Sequence, residues 1–132
     1  MTDYEGLVRE FHVKFNHYLG NIKNFPPAEV VELRRKLIAE EAIEFNEATE
    51  AFDIIKVADS LADLLYVVFG AALAFGVPID KVFEEVHRSN MTKSMAKDEK
   101  SIKGKTLKGP DYVPPDLIKI LRRKGGVGTR LR

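Results

Sequence analysis

The 132 residues have the length of one domain, and contents of 45% hydrophobic and 31% charged residues are typical of a globular protein. The 21 basic residues nearly balance the 20 acidic ones, so no global field exists to hold a nucleic-acid polymer or an anionic membrane. The lack of cysteine excludes disulfides, thiolate metal sites and cysteine nucleophiles.

The N-terminal stretch MTDYEGLVREF carries acidic residues and no basic, apolar stretch, which is unlike a signal peptide. No apolar run was found that approaches the roughly 20 residues of a membrane-spanning helix. We therefore expect a cytoplasmic protein.

The first two predicted helices are separated by a proline-containing break. Apolar residues recur at spacings of three and four from Asp3 to about Tyr18, which predicts a helix capped by Asp3. The segment Gly20–Pro27 interrupts this pattern. Two prolines suit the opening of a second helix, predicted over Ala28–Ala48, because proline is tolerated in a first helical turn.

A nearly apolar segment follows a predicted turn at 49–53. Because Ile54–Phe75 has apolar residues on almost every side, it predicts a central helix that is buried on most sides. Gly76 and Pro78 end it, and Asp80 is predicted to cap a fourth helix that runs to about Asn90.

The C-terminal third is rich in lysine, glycine and proline. Residues 93–114 are predicted to form a basic loop, and Pro115–Arg123 a short last helix. Because no alternating strand pattern is visible, the predicted class is all-α, with a four-helix-bundle core and a short C-terminal helix. Residues 1–124 are interpreted as a single domain and 125–132 as a frayed tail.

Two helices place carboxylates at helical spacing. Glu40 and Glu44 lie one turn apart on one face of the second helix, with Glu41 beside them. Asp59 and Asp63 are also four apart, inside the apolar third helix, where unpaired acids are costly to bury. If the two helices pack antiparallel, these acids meet and need a cation. Oxygen ligands without histidine or cysteine favour Mg²⁺ or Mn²⁺.

Two less functional interpretations remain open for these acids. A segment such as EEAIEFNEATE, taken alone, is typical of a solvated acidic helix face. The two aspartates could be satisfied by a hydrogen bond to a nearby lysine or arginine. The combination of both helices favours metal binding.

The stretches RRKLIAEEAIEF and ADSLADLLYV closely resemble the all-α nucleoside triphosphate pyrophosphohydrolases. This group contains MazG-like proteins, dimeric dUTPases and phosphoribosyl-ATP pyrophosphohydrolase. Its pattern is E-x-x-E on one helix and E-x-x-D on the next. Glu41 and Glu44 match the first half, and Asp63 matches the end of the second. The first acid of E-x-x-D falls on Ser60, so a second metal ion depends on whether Asp59 replaces it.

The resemblance implies a reaction and a set of roles. Water attacks the α-phosphorus in line with the help of Mg²⁺, for which Mn²⁺ can substitute, and pyrophosphate and a nucleoside monophosphate leave. The implied base is Glu41. The implied metal ligands are Glu40, Glu44, Asp59 and Asp63, and the implied substrate-binding residues are Arg34, Asn90, Lys93, Lys105 and Lys108.

Two other functions remain open at this point. Phosphoribosyl-ATP is an alternative substrate, since ADLLY also occurs in that branch, although SNMTK and the basic tail differ from it. A non-catalytic helical module that binds a metal or a partner is the second alternative, and Ser60 favours it. We also expect a homodimer or a dimer of dimers (a homotetramer), because the apolar third helix has more surface than short neighbours can cover.

Overall fold

A computed structural model describes residues 1–95 and 105–125 of the chain. These residues are mostly helical, which confirms the predicted all-α class. In chain order the described elements are α1 (Tyr4–Lys14), α2 (Ala28–Glu50), α3 (Ile54–Phe75), α4 (Ile79–Asn90), β1 (Ser94–Met95), β2 (Thr106–Leu107) and α5 (Leu117–Gly125).

The described chain divides into two compact units, residues 1–77 and the residues from 78 onward. The interpretation of 1–124 as one domain stays a prediction. The predicted frayed tail lies outside the described residues, apart from Gly125, which ends α5.

Several predicted boundaries shift in the structure. Helix α1 ends at Lys14 rather than near Tyr18, because Asn16 adopts a φ of 55°, a left-handed conformation that stops a helix. Helix α2 continues to Glu50, so the turn before α3 shortens to 51–53. Helix α5 begins two residues later than predicted, at Leu117.

Two further expectations are wrong. Asp80 lies within the first turn of α4 and does not cap it, since the residue before the helix is Pro78. The segment 93–114, which was predicted to be a loop, contains a pair of strands. Ser94 pairs with Leu107 and Met95 with Thr106 in an antiparallel register. Strands of two residues are too short to produce an alternating sequence pattern.

The first unit is built around α3, against which both α1 and α2 pack. Helices α2 and α3 run antiparallel, since Arg34 in the first half of α2 meets Gly70 late in α3 while Glu44 meets Asp63. The Asp53 carboxylate starts α3 by accepting hydrogen bonds of 3.1 Å from the backbone amides of Ile55 and Lys56. The buried apolar residues are small or branched: Val8, Ala48, Ala72, Leu73 and Ala74.

The C-terminal end of α3 is fixed by the segment that precedes α2. The Gly20 amide donates a 2.9 Å hydrogen bond to the Leu73 carbonyl. Gly76 ends the helix with a φ of 69°, and a side chain there would collide with the backbone of Asn21. The contact therefore depends on glycine and holds this end of the helix in place.

One face of α3 stays exposed among the described residues 1–95 and 105–125 of a single chain. Ile54, Leu61, Leu65 and Val68 keep between 36% and 76% of their surface exposed. At about 100° per residue they form one stripe, which we call the apolar stripe, on the side of α3 opposite Asp63. The expected burial of α3 on most sides therefore depends on cover from the expected second copy of the chain, which stays a prediction.

Helix α3 is also long and apolar enough to cross a membrane, judged by length and composition alone. The expectation that no apolar run approaches that length needs correction for Ile54–Phe75. Core helices of soluble proteins pass the same test. Three charged residues, Lys56, Asp59 and Asp63, lie within this helix, and acids at such positions are costly in lipid.

The second unit joins α4 to the segment before α5. The buried hydroxyl of Ser89 donates a 2.8 Å hydrogen bond to the Val113 carbonyl. Glu85 accepts two bonds from the Arg88 guanidinium, at 2.7 and 2.8 Å, and one of 2.7 Å from the Asp116 amide. These donors lower the pKa of Glu85 to about 2.

Candidate metal centre

Three carboxylates from two helices converge in the first unit. Glu41 and Glu44 are three residues apart on α2, and Asp63 lies on the facing side of α3. One carboxylate oxygen from each lies within 4.8 Å of the other two. We call this group the acid trio. The spacing is short enough for a single cation to contact all three, since hard cations take oxygen ligands at about 2.0–2.6 Å.

Burial and mutual repulsion both act on the acid trio. The Oε2 atom of Glu41 is buried and has no hydrogen-bond partner among the residues that the structure describes. Burial, then the charges of Glu44 and Asp63, raise the pKa of Glu41 above its ordinary value. Burial, followed by the charges of Asp59 and Glu44, likewise raises the pKa of Asp63. Like charges held this close, together with an unpartnered buried oxygen, are the conditions that a bound cation relieves.

The other two predicted metal ligands lie beside the trio. Glu40 is close enough for its charge to raise the pKa of Glu41, and Asp59 does the same for Asp63. The acid trio includes neither. The structure therefore brings three of the five predicted acids together, and the roles of Glu40 and Asp59 stay predictions.

Ser60, at the position of the missing acid, is buried. Its hydroxyl donates to the carbonyls of its own helix, at 2.7 Å to Lys56 and 3.2 Å to Val57. This bonding occupies its only proton within α3. Ser60 also lines a cavity beside Glu44.

Arg34 lies in the interior rather than on a surface. It is 6% exposed, and its Nε atom is buried without a hydrogen-bond partner in the described part of the chain. The guanidinium passes over Gly70, where a Cβ would lie 2.5 Å from Arg34 Nη1 and 3.1 Å from His12 Nε2. Because Gly70 has no side chain, the side chains of both Arg34 and His12 can lie between the helices.

His12 lies in a packing position between the helices. It is 2% exposed, and its Nδ1 lies 3.3 Å from the Tyr18 carbonyl. Burial, and then the charge of Arg34, lower the pKa of His12. The proximity of His12 to Arg34 could not be predicted from sequence, because the two residues come from different helices.

The remaining predicted substrate contacts belong to the second unit. Asn90 ends α4 with an exposed side chain, and Lys93 follows it. Lys105 is exposed, whereas the Lys108 ammonium lies 5.3 Å from the centre of the Tyr112 ring. Their contact with a substrate stays a prediction.

The sequence interpretation also missed Lys56. It is the cation among the lining residues of the cavity beside Glu44. The sequence does contain a signal that could have identified Lys56. It lies four residues, or about one turn, before Ser60, the position of the missing acid, so the two residues share a helix face.

Comparison with known proteins decides the family. The model of the phosphoribosyl-ATP pyrophosphohydrolase family matches residues 8–90, which include most of α1, all of α2 to α4 and the acid trio. The chain belongs to this family. The family is a member of the all-α nucleoside triphosphate pyrophosphohydrolase superfamily, so the resemblance to that superfamily is confirmed.

An individual relative is known from a giant virus. An uncharacterized protein of Acanthamoeba polyphaga mimivirus is 34% identical over 83 residues, which are 60% of this chain and 33% of the relative. The chain thus spans about a third of the length of that relative.

Family membership also bears on α3 and on the reaction. The family consists of soluble enzymes, which favours a core or interface helix over a membrane span. It implies pyrophosphohydrolase activity in general. The acid trio supplies a group of oxygens that could hold a metal ion.

The raised pKa values give a prediction for stability without metal. Between the ordinary and the raised pKa of Glu41, the folded chain binds more protons than the unfolded chain, so the free energy of unfolding falls as pH rises. The change Glu41→Gln removes this penalty. In EDTA, we expect its stability advantage over the unmodified chain to grow over the pH range that begins at the ordinary pKa of glutamate and extends upward. Urea unfolding across this range measures it.

The matched control is Glu50→Gln, an exposed acid at the end of the same helix. Its effect on stability in EDTA should be smaller than that of Glu41→Gln. Addition of Mg²⁺ should stabilise the unmodified chain more than Glu41→Gln. Parallel pH curves for the unmodified chain and Glu41→Gln would contradict the electrostatic account of the acid trio.

Proposed function

We propose that the chain is a Mg²⁺-dependent nucleoside triphosphate pyrophosphohydrolase. It hydrolyses a nucleoside or deoxynucleoside triphosphate to the monophosphate and pyrophosphate. The observation that carries this proposal is the convergence of Glu41, Glu44 and Asp63 within 4.8 Å. Membership in a pyrophosphohydrolase family supports the same reaction class.

The donor chemistry of the acid trio fits Mg²⁺, with Mn²⁺ as a substitute. Its donors are carboxylate oxygens, which suit hard divalent cations. Glu44 and Asp63 would hold the ion, and the neighbouring Glu40 and Asp59 would supply the remaining carboxylate ligands. When bound, the ion neutralises charge on the phosphate oxygens around the reacting phosphorus.

Glu41 is the proposed general base. Its raised pKa makes it a stronger proton acceptor than an ordinary glutamate near neutral pH. The unpartnered Oε2 atom is available to take a proton from the attacking water. Asp63 and Glu44 would position this water and the α-phosphate by orienting the charged groups around them.

The proposed substrate contacts are mostly basic. Lys93, Lys105 and Lys108 would neutralise the triphosphate, and the Asn90 amide can both donate to and accept from a base edge. The burial of Arg34 restricts its proposed role to a group that enters between α1, α2 and α3.

A second candidate substrate is phosphoribosyl-ATP, which the family match favours. Hydrolysis would occur at the same phosphoanhydride bond, so the acid trio serves both substrates equally. The segment SNMTK, which begins in the last turn of α4, and the basic tail favour a simple triphosphate.

We also propose a homodimer, or a dimer of dimers, in a cytoplasmic location. The exposed apolar stripe of α3 is the surface that a second copy would cover. The family's soluble character supports this interpretation of the stripe.

A substrate panel tests the proposed function. The purified chain is incubated with Mg²⁺ and each canonical ribo- and deoxyribonucleoside triphosphate or phosphoribosyl-ATP, and pyrophosphate is measured. We expect pyrophosphate and monophosphate in equal amounts, abolished by EDTA and restored by Mn²⁺. Release of inorganic phosphate instead, or turnover of phosphoribosyl-ATP alone, would refute the preferred substrate class.

A further inference from the structure

A cavity of about 360 Å³ opens next to the acid trio, between the end of α2 and the start of α3. Its lining is Glu44, Glu47, Ala48, Ala51, Lys56, Asp59 and Ser60. Glu44 belongs both to this lining and to the acid trio, so the cavity and the trio share a wall. We call this space the turn cavity, because it adjoins the turn at 51–53.

The turn cavity exists because small side chains line part of it. Ala48 and Ser60 are each 3% exposed, and their side chains fill little of the space between the two helices. The hydroxyl of Ser60 is bonded back to the Lys56 carbonyl at 2.7 Å. A longer side chain at position 60 would occupy the cavity, whereas serine leaves it available to a ligand.

Lys56 is the cationic residue of this lining, and its side chain is exposed to solvent. Within the described part of the chain it forms no ion pair of 4.0 Å or less. It also lies in the first turn of α3, where the partial positive charge of the helix N-terminus adds to its own. Two of the three acids in the lining, Glu44 and Asp59, are proposed metal ligands, and a bound cation offsets their charge.

A compact ammonium group with three donors suits phosphate oxygens. In the proposed reaction the bond between water oxygen and the α-phosphorus forms, and the bond from that phosphorus to the bridging oxygen breaks. The leaving pyrophosphate takes the electron pair, and Glu41 takes the proton from the water. The departing group therefore gains negative charge, which a nearby cation stabilises.

We propose that the turn cavity binds the pyrophosphate leaving group through Lys56. This inference rests on the proposed function and deepens it. Lys56 then supplies the positive charge at the β- and γ-phosphates. An acid at position 60, where this chain has Ser60, would instead supply that charge by binding a second metal ion. The assignment adds a substrate-binding residue within the first unit to the lysines predicted in the second.

The test measures binding of pyrophosphate itself, without turnover. Calorimetric titration of Mg²⁺-pyrophosphate is carried out on the full chain and three variants. Lys56→Gln should weaken the affinity about tenfold, and Lys56→Arg, which keeps the charge, should stay within about threefold. Lys23→Gln is the matched control, because this exposed lysine follows Asn21, whose backbone adjoins Gly76 at the opposite end of α3 from Lys56. It should change the affinity less than about twofold.

Two results would overturn the inference. One is an affinity for Lys56→Gln within about twofold of the unmodified chain, and the other is no pyrophosphate binding by the unmodified chain. Because the experiment measures binding of pyrophosphate and not turnover, its result can be distinguished from a test of the proposed hydrolysis. A chain that hydrolyses no triphosphate but binds pyrophosphate through Lys56 refutes the proposed function alone. Active hydrolysis with pyrophosphate affinity independent of Lys56 refutes the turn cavity alone.

Discussion

Glu44→Gln should lower Mg²⁺-dependent pyrophosphate release by about a thousandfold or more. Glu44 has a carboxylate oxygen within 4.8 Å of both other members of the acid trio and also lines the turn cavity. The amide keeps the size of the side chain but removes its charge, so the divalent cation loses a ligand while packing is preserved. Initial rates at saturating Mg²⁺ and nucleotide measure the effect.

The control for this change is Glu50→Gln. Glu50 ends the same helix, is exposed, and lies outside both the trio and the cavity lining. Its rate should stay within about twofold of the unmodified chain. A parallel titration with Mn²⁺ should show weakened binding only for Glu44→Gln. Retention of full activity by Glu44→Gln, with the fold intact, would remove the acid trio as the centre of the reaction.

The third helix shows which structural features were accessible from sequence. Its bounds, Ile54 and Phe75, match the prediction, because an aspartate cap and a C-terminal glycine are strong local signals. The meeting of Glu44 with Asp63 was also predictable. Two helices joined by a short turn must run antiparallel, so acids at similar distances from the turn face each other.

Other features depend on contacts between helices that the sequence does not display. The burial of Arg34 beside His12 requires the missing side chain of Gly70, which lies 36 positions later in the chain. The early end of α1 follows from the left-handed conformation of Asn16, which the apolar spacing up to Tyr18 conceals. Hydrophobicity likewise marked α3 as apolar but could not distinguish a face covered by the same chain from one left exposed.

Leu65→Glu should convert the proposed dimer into single chains and reduce pyrophosphate release per chain at least tenfold. Leu65 is 55% exposed in the middle of the apolar stripe, and a charge there would be buried without a partner in the interface. The stripe from Ile54 to Val68 extends for about 20 Å along the helix, long enough for the central part of a stable dimer contact. Light scattering gives the mass, and the pyrophosphate assay gives the rate.

Loss of activity is expected because the basic segment of one subunit, with Lys105 and Lys108, is proposed to reach a triphosphate bound mainly by its neighbour. The same substitution at Val13, which is 67% exposed on α1 and outside the stripe, is the control and should leave mass and rate unchanged. Dilution of the unmodified chain should lower the rate per chain as the dimer dissociates. A mass near the 14.9 kDa of one chain at dilutions where the rate per chain is undiminished would contradict the assembly.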